Sequence, residues 1–124
     1  MIKIQASKIA ASKISYFFDT IPHFIIGTYP TIDIQGTVVD ILFDMPMSQS
    51  IKGSEFYVYD SDNESRYNFS GVYSNNNNHV ILTLEYAVDF GNTYYLIYDY
   101  SDGYVSSVYG GQLLSNSIEL KWNQ

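Results

Sequence analysis

The sequence VVDILFDMPMSQSIKG, residues 38–53, decides the fold class of this chain. Apolar and polar residues alternate in its first half, and a β-strand turns successive side chains to opposite faces. We therefore predict a strand that buries Val39, Ile41 and Phe43. Pro46 must end the strand, because proline has no N–H group to donate to a neighbouring strand. The apolar pattern restarts after a polar turn, as expected where a sheet edge turns over a core.

The composition favours one all-β domain. The chain has 124 residues, which is enough to enclose a single hydrophobic core. It contains 13 Tyr and 7 Phe, residues that suit pleated, half-buried surfaces. Charged residues make up only 15% of the chain, which is unlike the composition of disordered proteins.

Charge and cysteine content exclude several functions. The formal net charge is −7 and the sequence holds a single arginine, so neither nucleic acid nor an anionic membrane surface is an expected partner. The absence of cysteine excludes disulfides, thiolate metal sites and a cysteine nucleophile. The apolar runs are far shorter than the roughly 20 residues of a membrane span, so no membrane insertion is predicted.

Turn signals divide the chain into about seven to nine short alternating segments, the pattern of an antiparallel β-sandwich. The predicted strands cover residues 23–26, 31–34, 38–43, 56–59, 66–73, 80–86, 93–100, 105–109 and 118–122. In one of them, Tyr67, Phe69 and Tyr73 are expected on one side. Residues 1–30 are predicted as an N-terminal arm or first strand, and residues 31–124 as the sandwich.

Three pieces of the sequence, in order, resemble bacterial immunoglobulin-like domains of surface-layer and cell-wall proteins. They are VVDILFDMPMSQSI, then FYVYD with YNFSGVYSNNNNHVILTL, and VDFGNTYYLIYDYSDG, and the resemblance covers about residues 38–113. Met45 and Ser48 depart from the family, which usually carries acidic residues there. The resemblance implies an immunoglobulin-like sandwich that is not an enzyme. It also implies a tyrosine corner at Tyr94, whose hydroxyl would bond to the backbone across a connection between strands.

An acidic loop is the one candidate metal site. Asp60, Asp62 and Glu64 have the one-three-five spacing of a calcium loop, and carboxylate oxygens suit Ca²⁺. The twelve-residue calcium loop also needs a glycine and a glutamate at positions that Ser65 and Gly71 occupy here, so that loop type fails. A looser calcium site between strands and a plain solvated loop are the two alternatives, and the solvated loop is favoured. No other cofactor is expected.

Catalytic signatures are absent from the sequence. The only histidines, His23 and His79, have no flanking ligands that would complete a zinc site, and we expect them at the surface or in packing roles. No serine lies in a Gly-x-Ser-x-Gly elbow, no glycine-rich phosphate loop occurs, and no pair of carboxylates is singled out. The sequence therefore predicts a protein that is not an enzyme.

Tyrosines are the main candidates for binding. Alternation places Tyr57 and Tyr59 opposite the buried face of one strand, and Tyr95 opposite that of another, while Trp122 lies in the last strand. They either pair with one another on a solvated face or form a recognition surface, since tyrosine is enriched at interfaces.

These features predict a non-catalytic structural or interaction module of a surface assembly, with other protein chains, including further copies of itself, as partners. The alternative is a carbohydrate-binding module that stacks sugars on exposed Tyr57, Tyr59 and Trp122. The N-terminus shows no signal-peptide pattern. We therefore expect either a virion structural or decoration protein or a domain of a larger exported bacterial surface protein.

Overall fold

The computed structural model describes residues 19–25, 27, 29–99, 103–114 and 117–123. These residues form eight strands, which confirms the all-β prediction and its strand number. The strands are Thr31–Asp33 (β1), Val38–Leu42 (β2), Phe56–Asp60 (β3), Ser65–Ser74 (β4), His79–Leu84 (β5), Tyr95–Tyr98 (β6), Ser117–Glu119 (β7) and Lys121–Asn123 (β8). Within the described ranges, no helix occurs that is long and apolar enough to cross a membrane. Most of the predicted N-terminal arm lies outside the described residues.

The eight strands form one nearly closed sheet in the order β7-β6-β3-β4-β5-β2-β1-β8. All neighbouring pairs are antiparallel except β1 and β8, which are parallel, so the sheet is mixed where the sequence predicted an antiparallel one. Strand β4 joins the two halves of the sheet. Its first part pairs with β3 and its second part with β5, and a bulge between Phe69 and Gly71 separates them.

The chain also crosses between the two halves near its C-terminus. The amide of Leu120 donates to the carbonyl of Tyr94 at 2.9 Å, beside β6, and the next amide, that of Lys121, donates to the carbonyl of Pro30 at 3.0 Å, beside β1. The strand predicted at residues 118–122 is therefore two strands, β7 and β8, because the chain changes its pairing partner at Leu120. The side chain of Leu120 is buried. This crossing brings the two edges of the sheet close together.

The sheet encloses the side chains that the opening stretch predicts. Val39, Ile41 and Phe43 are each 0% exposed, so the predicted inward face of β2 is confirmed. Met47 and Ile51, which follow the corner at Pro46, are buried as well. Burying one such side chain contributes roughly 1.5–3 kcal/mol relative to leaving it in water. The neighbouring strands supply the rest of the core, which includes Phe56, Val58, Val80, Leu82, Leu84, Leu96 and Tyr98.

The bulge in β4 corrects one prediction. Tyr67 and Phe69 pack against the core as expected, but Tyr73 is exposed and Val72 takes the inward position. A bulge adds a residue on one strand, so the alternation of faces changes beyond it. The change of face is a result of the pairing of β4 with β5.

Two further predicted strands are reduced to isolated bridges. Residues 105–109 contribute bridges from Ser107 to Met47 and from Ser106 to Gln112, and residues 23–26 contribute one bridge from Phe24 to Phe43. The rings of Phe24 and Phe43 stack with centroids 5.2 Å apart. Both segments therefore cover the end of the core without extending a ladder.

The connection between β5 and β6 is held by several polar contacts. The amide of Asp89 donates to the hydroxyl of Tyr94 at 3.1 Å, so the backbone bond expected of a tyrosine corner is confirmed. The amide of Val88 donates to the carbonyl of Gly36 in the turn between β1 and β2. Gly36 has φ of +73°, and a Cβ there would collide with the carbonyl of Val88. Glycine is required by both the backbone conformation and this contact.

Candidate interaction surface

Four adjacent strands, β7, β6, β3 and the first part of β4, present one outward face. Residues paired across antiparallel strands share a face, so the register defines two rows of side chains. The first row is Glu119, Tyr95, Tyr59 and Arg66, and the second is Ser117, Ile97, Tyr57 and Asn68. We call these eight residues the tyrosine face. It brings together Tyr57, Tyr59 and Tyr95, three of the predicted binding residues.

The strands expose these side chains because their alternate residues fill the core. Phe56 and Val58 on β3 and Leu96 on β6 are buried, so the residues between them must point away from the core. Tyr57, Tyr59, Tyr95 and Ile97 are all half-buried. Each of them keeps part of its surface in water. The centre of the face is thus aromatic and apolar.

Arg66 lies over this aromatic centre. Its guanidinium carbon is 3.9 Å from the centroid of the Tyr57 ring, and its Nε donates to Oδ1 of Asn68 at 3.0 Å. A cation over an exposed ring is attracted by about 0.5–1 kcal/mol. These contacts hold the guanidinium beside Tyr57 and Asn68, in the second row of the tyrosine face.

A negative charge lies at the opposite side. Glu119 is exposed on β7 and makes no salt bridge with any described residue. Three inter-strand spacings of about 4.8 Å separate β4 from β7, so Arg66 and Glu119 are about 14 Å apart at the backbone. They cannot pair within one chain. In backbone register the first row of the face therefore reads Arg, Tyr, Tyr, Glu, with the Arg66 guanidinium turned towards the second row.

Trp122 does not lie on the tyrosine face. It is paired in β8 with the buried Ile32 of β1, its Nε1 donates to the carbonyl of Asn92 at 2.9 Å, and its ring meets those of Phe90 and Tyr94 edge to face. The centroid distances are 4.9 Å to Phe90 and 6.0 Å to Tyr94. The indole is thus partly buried against the edge of the core, apart from the other three predicted residues.

The acidic loop uses its innermost carboxylate for the backbone. Asp60 is 1% exposed, and its Oδ1 accepts the amides of Asp62 at 3.0 Å and of Asn63 at 3.3 Å, while Oδ2 accepts the side-chain amide of Asn63 at 2.9 Å. The side chains of Asp62 and Glu64 are exposed. In the described part of the chain, no three His, Asp or Glu side chains come together as a metal site would require. The calcium hypothesis remains a prediction.

A second buried carboxylate, which the sequence analysis missed, has a similar role. Glu55 is 1% exposed, and its Oε1 accepts the amide of Gly53 at 2.7 Å and that of Lys52 at 3.2 Å. Charge-assisted bonds of this kind make a buried carboxylate tolerable. Both buried carboxylates therefore stabilise turns at opposite ends of β3.

The two histidines pair with carboxylates at the surface. Nδ1 of His23 is 2.9 Å from Oδ2 of Asp44, and Nδ1 of His79 is 2.9 Å from Oδ1 of Asp40. The first contact ties residues 19–25 to the end of β2, since the amide of His23 also donates to Asp44. Their places at the surface agree with the sequence-based expectation.

Sequence reasoning missed the rest of the tyrosine face. Ile97 and Glu119 join it through the pairing of β6 with β3 and β7, which links segments far apart in the chain. Arg66 carried a usable signal, because the hairpin between β3 and β4 is short and the chain has one arginine. An arginine across a hairpin from two tyrosines is a candidate for an interface.

Together, the fold and the face define an all-β module with an aromatic outer surface. Solved structures of bacterial surface-layer protein SbsC resemble it. The N-terminal part of SbsC matches with a TM-score of 0.68 and 16% identity, covering 96% of this chain and 27% of that one. The rSbsC(31-844) structure matches with a TM-score of 0.67 and 16% identity, covering 96% of this chain and 16% of that one.

A structure of SbsC domains 1-6 also matches, with a TM-score of 0.67 and 15% identity, again covering 96% of this chain and 16% of that one. The chain thus spans about a quarter or less of the proteins it resembles. No protein-family model and no curated protein sequence matches it. At these identities the likeness shows the fold.

Proposed function

We propose that this chain is a non-catalytic immunoglobulin-like module of a bacterial cell-surface assembly built from protein chains. The observation that carries the proposal is the likeness in fold to SbsC, whose solved structures are described as those of a bacterial S-layer protein. A virion location, which the sequence left open, gains no support from these neighbours.

Two features of the chain support an immunoglobulin-like module. The bond from the Asp89 amide to the Tyr94 hydroxyl has the form of a tyrosine corner, which such sandwiches place near the start of a strand. The inward residues of the opening stretch lie where the family resemblance expects a core strand. Glu55 and Asp60 also support a structural role for the chain. Both buried carboxylates accept backbone amides and so hold turns of the fold.

Labelling and cross-linking on native cells test this function. Antibodies raised against the recombinant chain should label intact cells at the surface in immunogold microscopy. Short lysine cross-linkers followed by mass spectrometry should join the module to neighbouring protein chains. Label confined to the cell interior, with no cross-links to other chains, would contradict the proposal.

The three tyrosines on one outward face also favour carbohydrate binding as a second candidate. Half-buried rings held on neighbouring strands offer stacking surfaces for sugars, although Arg66 lies over the Tyr57 ring and Trp122 is not among them. A glycan array should then show binding that Tyr57→Ala abolishes. Tyr86→Ala is the matched control, because Tyr86 is 73% exposed and lies outside the tyrosine face. A blank array with the unmodified chain removes this candidate.

A further inference from the structure

We propose that the tyrosine face binds the tyrosine face of a second copy of this chain, related by a two-fold axis parallel to the strands. The inference rests on the proposed function, a part of a protein assembly, and names one partner for it. The order of charged and aromatic side chains in the two rows of the face favours this partner.

The order of side chains is self-complementary. The two-fold axis lies in the plane of the contact and runs between β3 and β6. Rotation about it places the β4 side of one face over the β7 side of the other, and every side chain keeps its position along the strand direction. Arg66 of one copy then lies opposite Glu119 of the other in backbone register, and its guanidinium reaches the carboxylate by leaving Tyr57 and Asn68. The reverse pair forms at the same time. Such an isologous contact uses the same patch on both copies.

The central residues match under the same rotation. Tyr59 of one copy faces Tyr95 of the other within the first row, and Tyr57 faces Ile97 within the second. The remaining positions, Asn68 and Ser117, also face each other and can form a hydrogen bond. An aromatic centre with polar, oppositely charged sides is the usual anatomy of a protein interface.

The contact is expected to be weak. Four strands and two rows of side chains cover on the order of 300 Å² on each copy, which is well below the roughly 800 Å² of a stable interface. Each copy also carries a net charge of −7, so repulsion must be screened by salt at about 0.15 M. We therefore expect a dissociation constant on the order of 1 mM. A contact of this strength suits an assembly in which many copies are held side by side.

Charge reversal gives a sharp test. Sedimentation velocity and light scattering at about 1 mM protein should show reversible dimerisation of the unmodified chain. R66E and E119R should each weaken it at least about tenfold, because each change sets like charges against one another at both ends of the face. The D89R chain is the control, since Asp89 is exposed in the connection between β5 and β6, away from the tyrosine face, and the change in net charge equals that of E119R.

Mixing the variants makes the test independent of folding. An equimolar mixture of the R66E and E119R chains should form a one-to-one dimer, because opposite charges then meet at both ends of the face. The double variant R66E/E119R should regain self-association for the same reason. A misfolded variant would do neither.

Several results would overturn the inference. An unmodified chain that stays monomeric at about 1 mM refutes it, as do single variants that associate like the unmodified chain or a mixture that forms no heterodimer. Glycan binding lost in Tyr57→Ala, together with a monomeric chain, assigns the face to sugar instead. A monomer that is still cross-linked to other chains on cells refutes only this inference, whereas interior label with intact dimerisation refutes only the proposed function.

Discussion

Replacing Tyr94 by phenylalanine removes one oxygen atom and tests what holds the connection between β5 and β6. Tyr94 is 2% exposed, and its ring lies near those of Tyr67 and Trp122, with centroids 6.2 and 6.0 Å away. Phenylalanine keeps this packing and loses the acceptor for the Asp89 amide at 3.1 Å and for the longer bond from Nδ2 of Asn92 at 3.5 Å. One neutral hydrogen bond contributes about 1 kcal/mol, and water can reach the released amide because Asp89 is exposed.

We therefore expect Tyr94→Phe to lower the free energy of unfolding by about 1 kcal/mol, or the melting temperature by roughly 3–5 °C. Urea denaturation and thermal scans measure both quantities, and hydrogen exchange should quicken at the Asp89 amide. Tyr95→Phe is the matched control, because its hydroxyl lies on the half-buried tyrosine face and forms no hydrogen bond with a described residue. Equal stability of the two variants would refute the role of the Tyr94 hydroxyl.

The same variant has a characteristic dependence on pH. Burial raises the pKa of Tyr94 above the ordinary value of 10.0, although bonds from Asn92 and Asp89 act in the opposite direction. The unfolded chain then loses this proton at lower pH than the folded chain, so the stability tied to the neutral phenol is complete below pH 10 and declines above it. The stability difference between the unmodified chain and Tyr94→Phe should shrink above about pH 10. A constant difference would contradict the assigned pKa direction.

Other positions give further expected outcomes. Gly36→Ala should lower the free energy of unfolding by about 3 kcal/mol or more, because alanine is strained in a left-handed backbone and the new Cβ meets the carbonyl of Val88. Urea denaturation measures this loss, and a loss below about 1 kcal/mol would show that the turn can change its conformation to accept the Cβ. Burial raises the pKa of Asp33, but hydrogen bonds from the amides of residues 37 and 38 and a nearby hydroxyl outweigh it and lower the pKa below 3.8. Asp33→Asn should therefore lower the free energy of unfolding by about 1.5 kcal/mol at neutral pH, and should have no effect in acid below both the folded and the unfolded pKa of Asp33. Melting temperatures of both chains measured against pH test this, and a loss that does not change with pH would refute it. Phe43→Ala should lower the free energy of unfolding by about 3–5 kcal/mol, because it leaves a cavity in the core. Tyr86→Ala, at an exposed position, should change it very little, and equal melting temperatures of the two variants would contradict the assignment of Phe43 to the core.

Local alternation was sufficient to predict which side chains turn inward. Val39, Ile41 and Phe43, and likewise the outward Tyr57 and Tyr59, follow from the two-residue period of a strand, which depends on the backbone of that strand alone. The tyrosine corner at Tyr94 was implied by the family resemblance, and its hydroxyl reaches an amide only five residues away. Contacts within a short stretch of chain can be read from that stretch.

Pairing between distant segments decided the rest. Tyr73 turned outward because a bulge formed where β4 leaves β3 for β5, and the last predicted strand divided at Leu120 because its two halves pair with different partners. Trp122 was grouped with the outward tyrosines from its place in a strand, but its parallel register with Ile32 sets it against the edge of the core. Each outcome depends on a partner that the segment's own residues do not specify.

The candidate surface shows the same division. The sequence determined that this chain folds as an all-β domain and that Tyr57, Tyr59 and Tyr95 point outward, because both depend on composition and local period. Only the tertiary structure placed Glu119 in one row with Tyr95 and Arg66. A slip of one residue in strand register would turn a whole set of side chains to the other face, so the meeting of opposite charges across four strands is a property of the register.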